Sequence, residues 1–287
     1  MALCAAPAVA HQPRGIVVGR DGTVFFSTLV KIRAVSPKGK LRTVRENAQG
    51  HTHALALAAD GAIWGDQSAY DPADGSYHEA IWRMLPDGSL TFRYGPRKGT
   101  ERGIGLLRDR QGCTWHADQA APGGATLVHR KCLGRPVERM FGSARDDAAY
   151  KPVLVADLGG TALASDGSFI FRDRGTVRRI APDGKATVLA RGLAAENFGI
   201  ALEPDGAVLI AEHSKRRVVA VSPGRRTQVV ATSPAPWGPT GLTWDKGALY
   251  LLEASDHRPG TPDQMRVRRI GADGTDKVLA TAPLSPG

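Results

Sequence analysis

One short unit recurs along this chain, and its recurrence restricts the fold more than any other feature. Each copy is an apolar run, a turn at Asp-Gly or a close relative, and a second apolar run. The copies read "GIVVGRDGTVFFST" (15–28), "ALALAADGAIWGDQ" (54–67), "GIGLLRDRQGCTWHAD" (103–118), "GTALASDGSFIFRD" (160–173), "GIALEPDGAVLIAE" (199–212) and "GLTWDKGALYLLE" (241–253). Their turn glycines, Gly22, Gly61, Gly112, Gly167, Gly206 and Gly247, lie 39 to 55 residues apart. A period in that range marks a repeat architecture in which each unit cannot bury its own apolar faces and must stack on its neighbours.

Each unit continues into a second hairpin, turning at Pro37-Lys-Gly39, Pro86-Asp-Gly88, Pro182-Asp-Gly184, Pro223-Gly224 and Asp273-Gly274, with Cys132-Leu-Gly134 in the third copy. Runs rich in Val, Ile, Leu, Phe and Trp, bounded by such turns, are hairpin strands. Four strands per unit and six units predict an all-β six-bladed β-propeller with four antiparallel strands per blade, in which stacking around an axis covers both faces of every blade. Val24, Phe25, Ile63, Trp64, Trp115, Phe169, Ile170, Val208, Leu209, Leu249 and Tyr250 are the expected inter-blade core. Residues 14–287 read as one propeller domain and 1–13 as an N-terminal arm.

Composition matters mainly through charge. The 38 Lys and Arg exceed the 28 Asp and Glu, giving +10, which favours anionic ligands. The basic residues come as short clusters, one per unit (Arg178-Arg179, Arg216-Arg217, Arg225-Arg226, Arg266 to Arg269), which reads as solvated strand positions. No apolar run approaches the length of a membrane-spanning helix. Nucleic acid is disfavoured because the aromatic residues occupy core slots and do not alternate with the arginines.

The units resemble those of NHL-repeat and SMP-30/gluconolactonase-like propellers. Unit five, "GIALEPDGAVLIAEHSKRRVVAVSPG" (199–224), carries the resemblance most fully, with its Asp-Gly turn, an apolar strand ending in an acid and an Arg-Val pair. Streptogramin-lyase, strictosidine-synthase-like and peptide-amidating lyase propellers share the pattern. The resemblance implies the fold and points to a small-molecule hydrolase or lyase, with a non-catalytic binding propeller as the alternative.

In such a fold the working face is where the chain enters each innermost strand. That ring reads Arg14, His53, Arg102, Gly159, Phe198 and Thr240, with Asn197 just behind. Two arginines and a histidine would receive a small anionic or lactone-like substrate. The metal set that the lactonase resemblance implies is absent from these positions, with Asn197 as its one remnant, so calcium is disfavoured. "GHTHALAL" (50–57) resembles the entry histidines of the lyase propellers. His51 and His53, two apart, share one face of an extended strand, and would serve as a base with its orienter, as ligands of zinc, iron or manganese, or as an unliganded rim pair. His78, His213 and His257 are the candidate third ligands.

Three further features hold chemistry. His116 puts a titratable ring in a slot that is apolar or glycine in the other units, which suits either a general base or a satisfied core histidine. An acid six residues after the turn glycine recurs as Asp118, Asp173, Glu212 and Glu253; Glu212 is a catalytic candidate, against a scaffold role capping the turn between second and third strands. The longest segment between second and third strands, "GDQSAYDPADGSYHEA" (65–80), brings Asp66, Tyr77 and His78, either as a pocket wall or as a plain hairpin extension. Cys113 and Cys132 fall opposite one another on antiparallel strands, where they either bridge or stay as buried thiols. "MALCAAPAVAHQ" reads either as the tail of an export signal or as an ordinary flexible arm, the first favouring a periplasmic or secreted location over a cytoplasmic one.

Overall fold

The computed structural model describes residues 12–47, 50–98, 107–108, 113–119, 126–132, 134–141, 158–173, 175–182, 185–194, 197–256 and 263–284. Among these, the strands form six four-stranded antiparallel sheets, each drawn from four consecutive strands. The first holds β1 (Ile16–Val18), β2 (Val24–Ser27), β3 (Lys31–Val35) and β4 (Leu41–Glu46), and the second β5 (Leu55–Leu57), β6 (Ile63–Asp71), β7 (Ser76–Met84) and β8 (Leu90–Lys98). The third has β9 (Leu107–Arg108), β10 (Thr114–Gln119), β11 (Thr126–Lys131) and β12 (Val137–Phe141); the fourth has β13 (Leu158–Leu163), β14 (Phe169–Asp173), β15 (Thr176–Ile180) and β16 (Ala186–Ala190). The fifth comprises β17 (Asn197–Leu202), β18 (Val208–Glu212), β19 (Arg217–Val221) and β20 (Thr227–Thr232), and the sixth β21 (Trp237–Asp245), β22 (Ala248–Ser255), β23 (Gln264–Gly271) and β24 (Asp276–Pro283). The fold is an all-β propeller of four-stranded antiparallel blades.

Innermost strands neighbour one another around the axis: β1 lies beside β5 and β21, β13 beside β9 and β17, and β17 beside β21. First and last blades therefore meet.

Local chemistry explains the hairpins. Gly22, Gly61, Gly167, Gly206 and Gly247 all adopt φ between 75° and 88°, a region in which a Cβ is strained. Gly112 lies outside the described residues. The aspartate before the glycine closes the turn: Asp21, Asp60, Asp166 and Asp205 accept the N–H of Thr23, Ala62, Ser168 and Ala207 at 2.9–3.1 Å, the Asx geometry that short polar side chains favour. Those bonds hold the carboxyls of Asp21, Asp60 and Asp166 below the usual range.

Strand alternation then builds the core. On β18, Val208 and Ile210 pack toward the fourth blade with Val177 and Ile170, while Leu209 and Ala211 pack toward the sixth with Leu249 and Leu251. On β22, Leu249 and Leu251 face the fifth blade, whereas Tyr250 and Leu252 meet Ile16, Val24 and Phe26 of the first. Both faces of each strand are covered, so these strands read as continuous apolar runs with no polar alternation. Each fully buried Leu, Ile or Phe contributes about 1.5–3 kcal/mol from its transfer out of water. Of the expected core, Phe25 is half-buried and Trp115 is described only in its backbone; the others are buried.

Two expectations need correction. Arg266 and Arg268 are not solvated: both are buried, Arg266 on Glu253 at 2.6 Å and Arg268 on Asp276 and Glu253 at 2.7 and 3.0 Å. At Glu212 and Glu253 the recurring acid does not cap the turn between second and third strands. Glu212 takes the N–H of Ala194 and the guanidinium of Arg217, and Glu253 takes the hydroxyl of Ser233 along with its arginines. Ala194 and Ser233 lie in the connections entering those blades, so the acid fastens each incoming connection to the second and third strands. Of the two readings of the long segment of blade two, the structure has the hairpin extension. β6 and β7 stay paired out to Asp71 and Ser76, with Pro72 to Gly75 as the turn, so it is a projecting hairpin arm.

Candidate functional site at the channel mouth

The innermost strands surround a cavity of about 310 Å³, lined among the described residues by Arg14 and Ala54 at one end, by Ile16, Leu55, Thr161 and Ile200 along its length, and by Trp244 at the other end. The small residues that open each unit are required here. A Cβ on Gly241 would lie 2.2 Å from the Arg14 carbonyl oxygen, and one on Gly199 would lie 2.9 Å from the Cα of Gly241.

Residues 50–54 connect blade one to blade two and are held from both sides. On the blade-one side, Thr52 N–H reaches the Leu29 carbonyl at 2.9 Å, and Ser27 Oγ donates to the Thr52 carbonyl at 2.5 Å. On the other, His51 and Ser68 exchange backbone hydrogen bonds of 2.7 and 2.9 Å. Arg14 N–H donates to the His53 carbonyl at 3.0 Å. Asp66 Oδ1 then accepts the N–H groups of both His53 and Ala54, each at 2.8 Å.

Asp66 is the group that sequence reasoning undervalued. Only 4% of it is exposed, and its Oδ2 is buried with no hydrogen-bond partner among the described residues. Burial pushes its carboxyl up to about 6, opposed by the two backbone N–H bonds and the positive charge of Arg14. Its carbonyl takes the indole N–H of Trp82 at 3.1 Å. That ring lies over Gly65, where an added Cβ would come 2.1 Å from it. The legible signal was positional: five residues after the turn glycine the other units have Ser27, Ala117, Arg172, Ala211 and Leu252, and Asp66 alone is an acid. Arg172, in the same slot of blade four, is also buried.

His53 is adjacent to Arg14, as expected, yet it is no rim side chain: it is 8% exposed and sits behind the channel wall formed by Arg14 and Ala54. Its ring meets that of His51 edge-on at 6.0 Å. His213 lies instead at the joint of blades five and six, its ring over Gly238. Among the described residues, the group whose ligand atoms lie within 4.8 Å of one another is Asp71, Asp74 and His78, and it includes none of His51, His53 and His213. That group is on the hairpin arm, where His78 Nε2 is 3.1 Å from Asp74. Tyr77 is on the same arm, its ring 5.3 Å from that of Tyr70. Among the described residues, those at the mouth do not assemble a three-ligand metal set.

Glu212 is fully buried and committed to Ala194, Arg217 and Lys215. Asn197 pairs through its backbone with Glu212, and His116 with His129. Arg102 and His257 lie outside the described residues. Cys113 and Cys132 are joined in a disulfide, in the register read from the strands.

No family model matches the chain, and no curated protein matches it. Solved structures do. Virginiamycin B lyase from Staphylococcus aureus is 15% identical, with 93% of this chain and 83% of that one covered at a TM-score of 0.57. A gluconolactonase from Xanthomonas campestris is 15% identical over 84% of each chain (TM-score 0.58), and regucalcin, a calcium-binding protein from Agrobacterium tumefaciens, is 13% identical over 86% and 83% (TM-score 0.62). The fold is that of the lyase and lactonase propellers. These are the proteins whose repeats the sequence resembles, and at this identity the likeness concerns the fold.

Proposed function

We propose that the six sheets are the blades of one six-bladed ring, spanning residues 14–287, and that the chain is a small-molecule lyase or hydrolase working where residues 50–54 meet the channel. One observation carries the reading: a carboxyl of raised pKa, buried with an unpaired oxygen, is pinned to the backbone of Ala54, which with Arg14 lines the end of the channel cavity. A group poised near 6 takes or gives a proton at neutral pH, which is the requirement for general acid–base chemistry. Arg14 supplies the fixed positive charge for an anionic or lactone-like substrate. His53 holds Asp66 through its backbone N–H, and its ring adds a second titratable group. No step is routed through a metal, because the described donors at the mouth do not converge. The lyase and lactonase folds named above support an ester or lactone as the substrate class.

The test is direct. Purified protein is incubated with streptogramin B and gluconolactone, with and without chelator, and products are read by mass spectrometry. Turnover by the wild type should fall about 100-fold or more in Asp66→Asn, and the KM for an anionic substrate should rise in Arg14→Ala. Normal turnover in Asp66→Asn would overturn the assignment. Absence of turnover on the whole panel would favour the binding-propeller reading, for which the exposed Tyr70 on the hairpin arm is the supporting observation. The Cys113–Cys132 bridge supports a periplasmic or secreted location.

A further inference from the structure

A second cavity, of about 1060 Å³, opens at the turn-glycine end of the molecule between blades four and five. It meets the channel cavity at Leu163, Leu202 and Trp244, which line both. Its deeper wall is apolar, formed by Ile170, Val208 and Val221 of the blade-four and blade-five core. Its size matches the upper end of what small-molecule sites occupy.

The rim breaks with the rest of the molecule. In a chain of net charge +10, the described lining of this cavity carries three carboxylates, Asp166, Glu203 and Asp205, against two cations, Arg130 and Arg179. Arg179 is paired with Asp166, and Arg130 has an interaction of its own. Asp205 closes its own turn through Ala207. Glu203 is left facing Asp205 with no cation paired to it among the described residues, and partial burial together with that neighbouring negative charge raises its pKa. A protonated amine would relieve both effects, and the apolar wall would take an attached hydrocarbon body.

We propose that this cavity is a binding site for small cationic amphiphiles, a primary ammonium group seated between Glu203 and Asp205 with its aliphatic body against Ile170, Val208 and Val221. The site is separate from the channel mouth and stands whether or not the mouth is catalytic. n-Octylammonium is the probe, titrated by calorimetry near pH 7 beside octanol and octanoate. One saturable site per chain is expected, with octanol and octanoate at least tenfold weaker. Glu203→Gln should weaken octylammonium about tenfold, and binding to the wild type, but not to that variant, should weaken further as the pH approaches about 4. Asp66→Asn should bind the probe as the wild type does. Equal binding of octanoate or octanol, an unchanged affinity in Glu203→Gln, loss of binding in Asp66→Asn, or no saturable binding below about 10 mM would each overturn the proposal.

Discussion

At the scale of single residues, burial governs what Asp66 contributes. Its folded pKa of about 6 lies above the 3.8 of an unperturbed carboxyl, so between those values the folded chain binds more protons than the unfolded one. Stability from this group is full below about 4, declines as the pH rises toward 6 and then levels off. Asn at this position keeps an oxygen for the N–H groups of His53 and Ala54 and removes the buried charge. Asp66→Asn should therefore be more stable than the wild type near pH 7, by on the order of 1–3 kcal/mol, and indistinguishable from it near pH 4. Denaturant unfolding at the two pH values checks this. Lower stability of the variant at pH 7 would mean that the charge is compensated. The turn aspartates act with opposite sign. Asp21, Asp60 and Asp166 are held low by their Asx bonds, so their contribution is present at neutral pH and lost as acid titrates them.

At the scale of the element, the end of the second strand in blades five and six is a joint. Glu212 binds the connection entering its blade through Ala194 and the next strand through Arg217; Glu253 does the same through Ser233, Arg266 and Arg268. Removing such an acid strands a buried N–H and an unpaired guanidinium, so Glu212→Ala should cost about 3 kcal/mol. Glu212→Gln, which retains an acceptor for Ala194, should cost less. A melting temperature of Glu212→Ala equal to that of the wild type would contradict the joint. The hairpin arm of blade two follows a different logic. Its nine-residue strands extend beyond the joint because Asp71 and Ser76 remain paired across the Pro72 to Gly75 turn, and that carries Tyr77 and His78 out along the arm.

At the scale of the whole molecule, stability rests on packing between blades that share no strand. Each sheet is contiguous in sequence, so the seam between first and last blades depends on side-chain packing: Ile16, Val18 and Phe26 against Tyr250, Leu252 and Met265. Close approach at that seam is permitted by Gly241 under the Arg14 carbonyl. Blade three carries a covalent clamp between its second and third strands. With Cys113 and Cys132 bridged, the three cysteines of the chain leave Cys4 as the single thiol. Titration of the denatured, unreduced protein should find one reactive thiol per chain, and three would exclude the bridge.

What could be read in the residues is what neighbours along the chain decide. Asp-Gly turns closing on their own backbone, positive φ at Gly22 and Gly206, and β-rich runs all depend on contacts within a hairpin, so the propeller and the register of Cys113 with Cys132 were legible. The recurrence of one unit carried the rest, since identical blades can only be stabilised by stacking. The candidate site was legible in part: Arg14 and His53 were read with roles, whereas Asp66 was read only as part of the blade-two segment. The surroundings of such residues come from groups far apart in sequence: Arg14 meets residue 53 across a blade boundary, Trp82 presses on Gly65, and connections from preceding blades end on Glu212 and Glu253. Burial of Arg266 and Arg268, the raised pKa of Asp66 and the acidic rim of the second cavity arise only when separate blades come together, because desolvation and charge pairing are properties of the assembled space around a side chain.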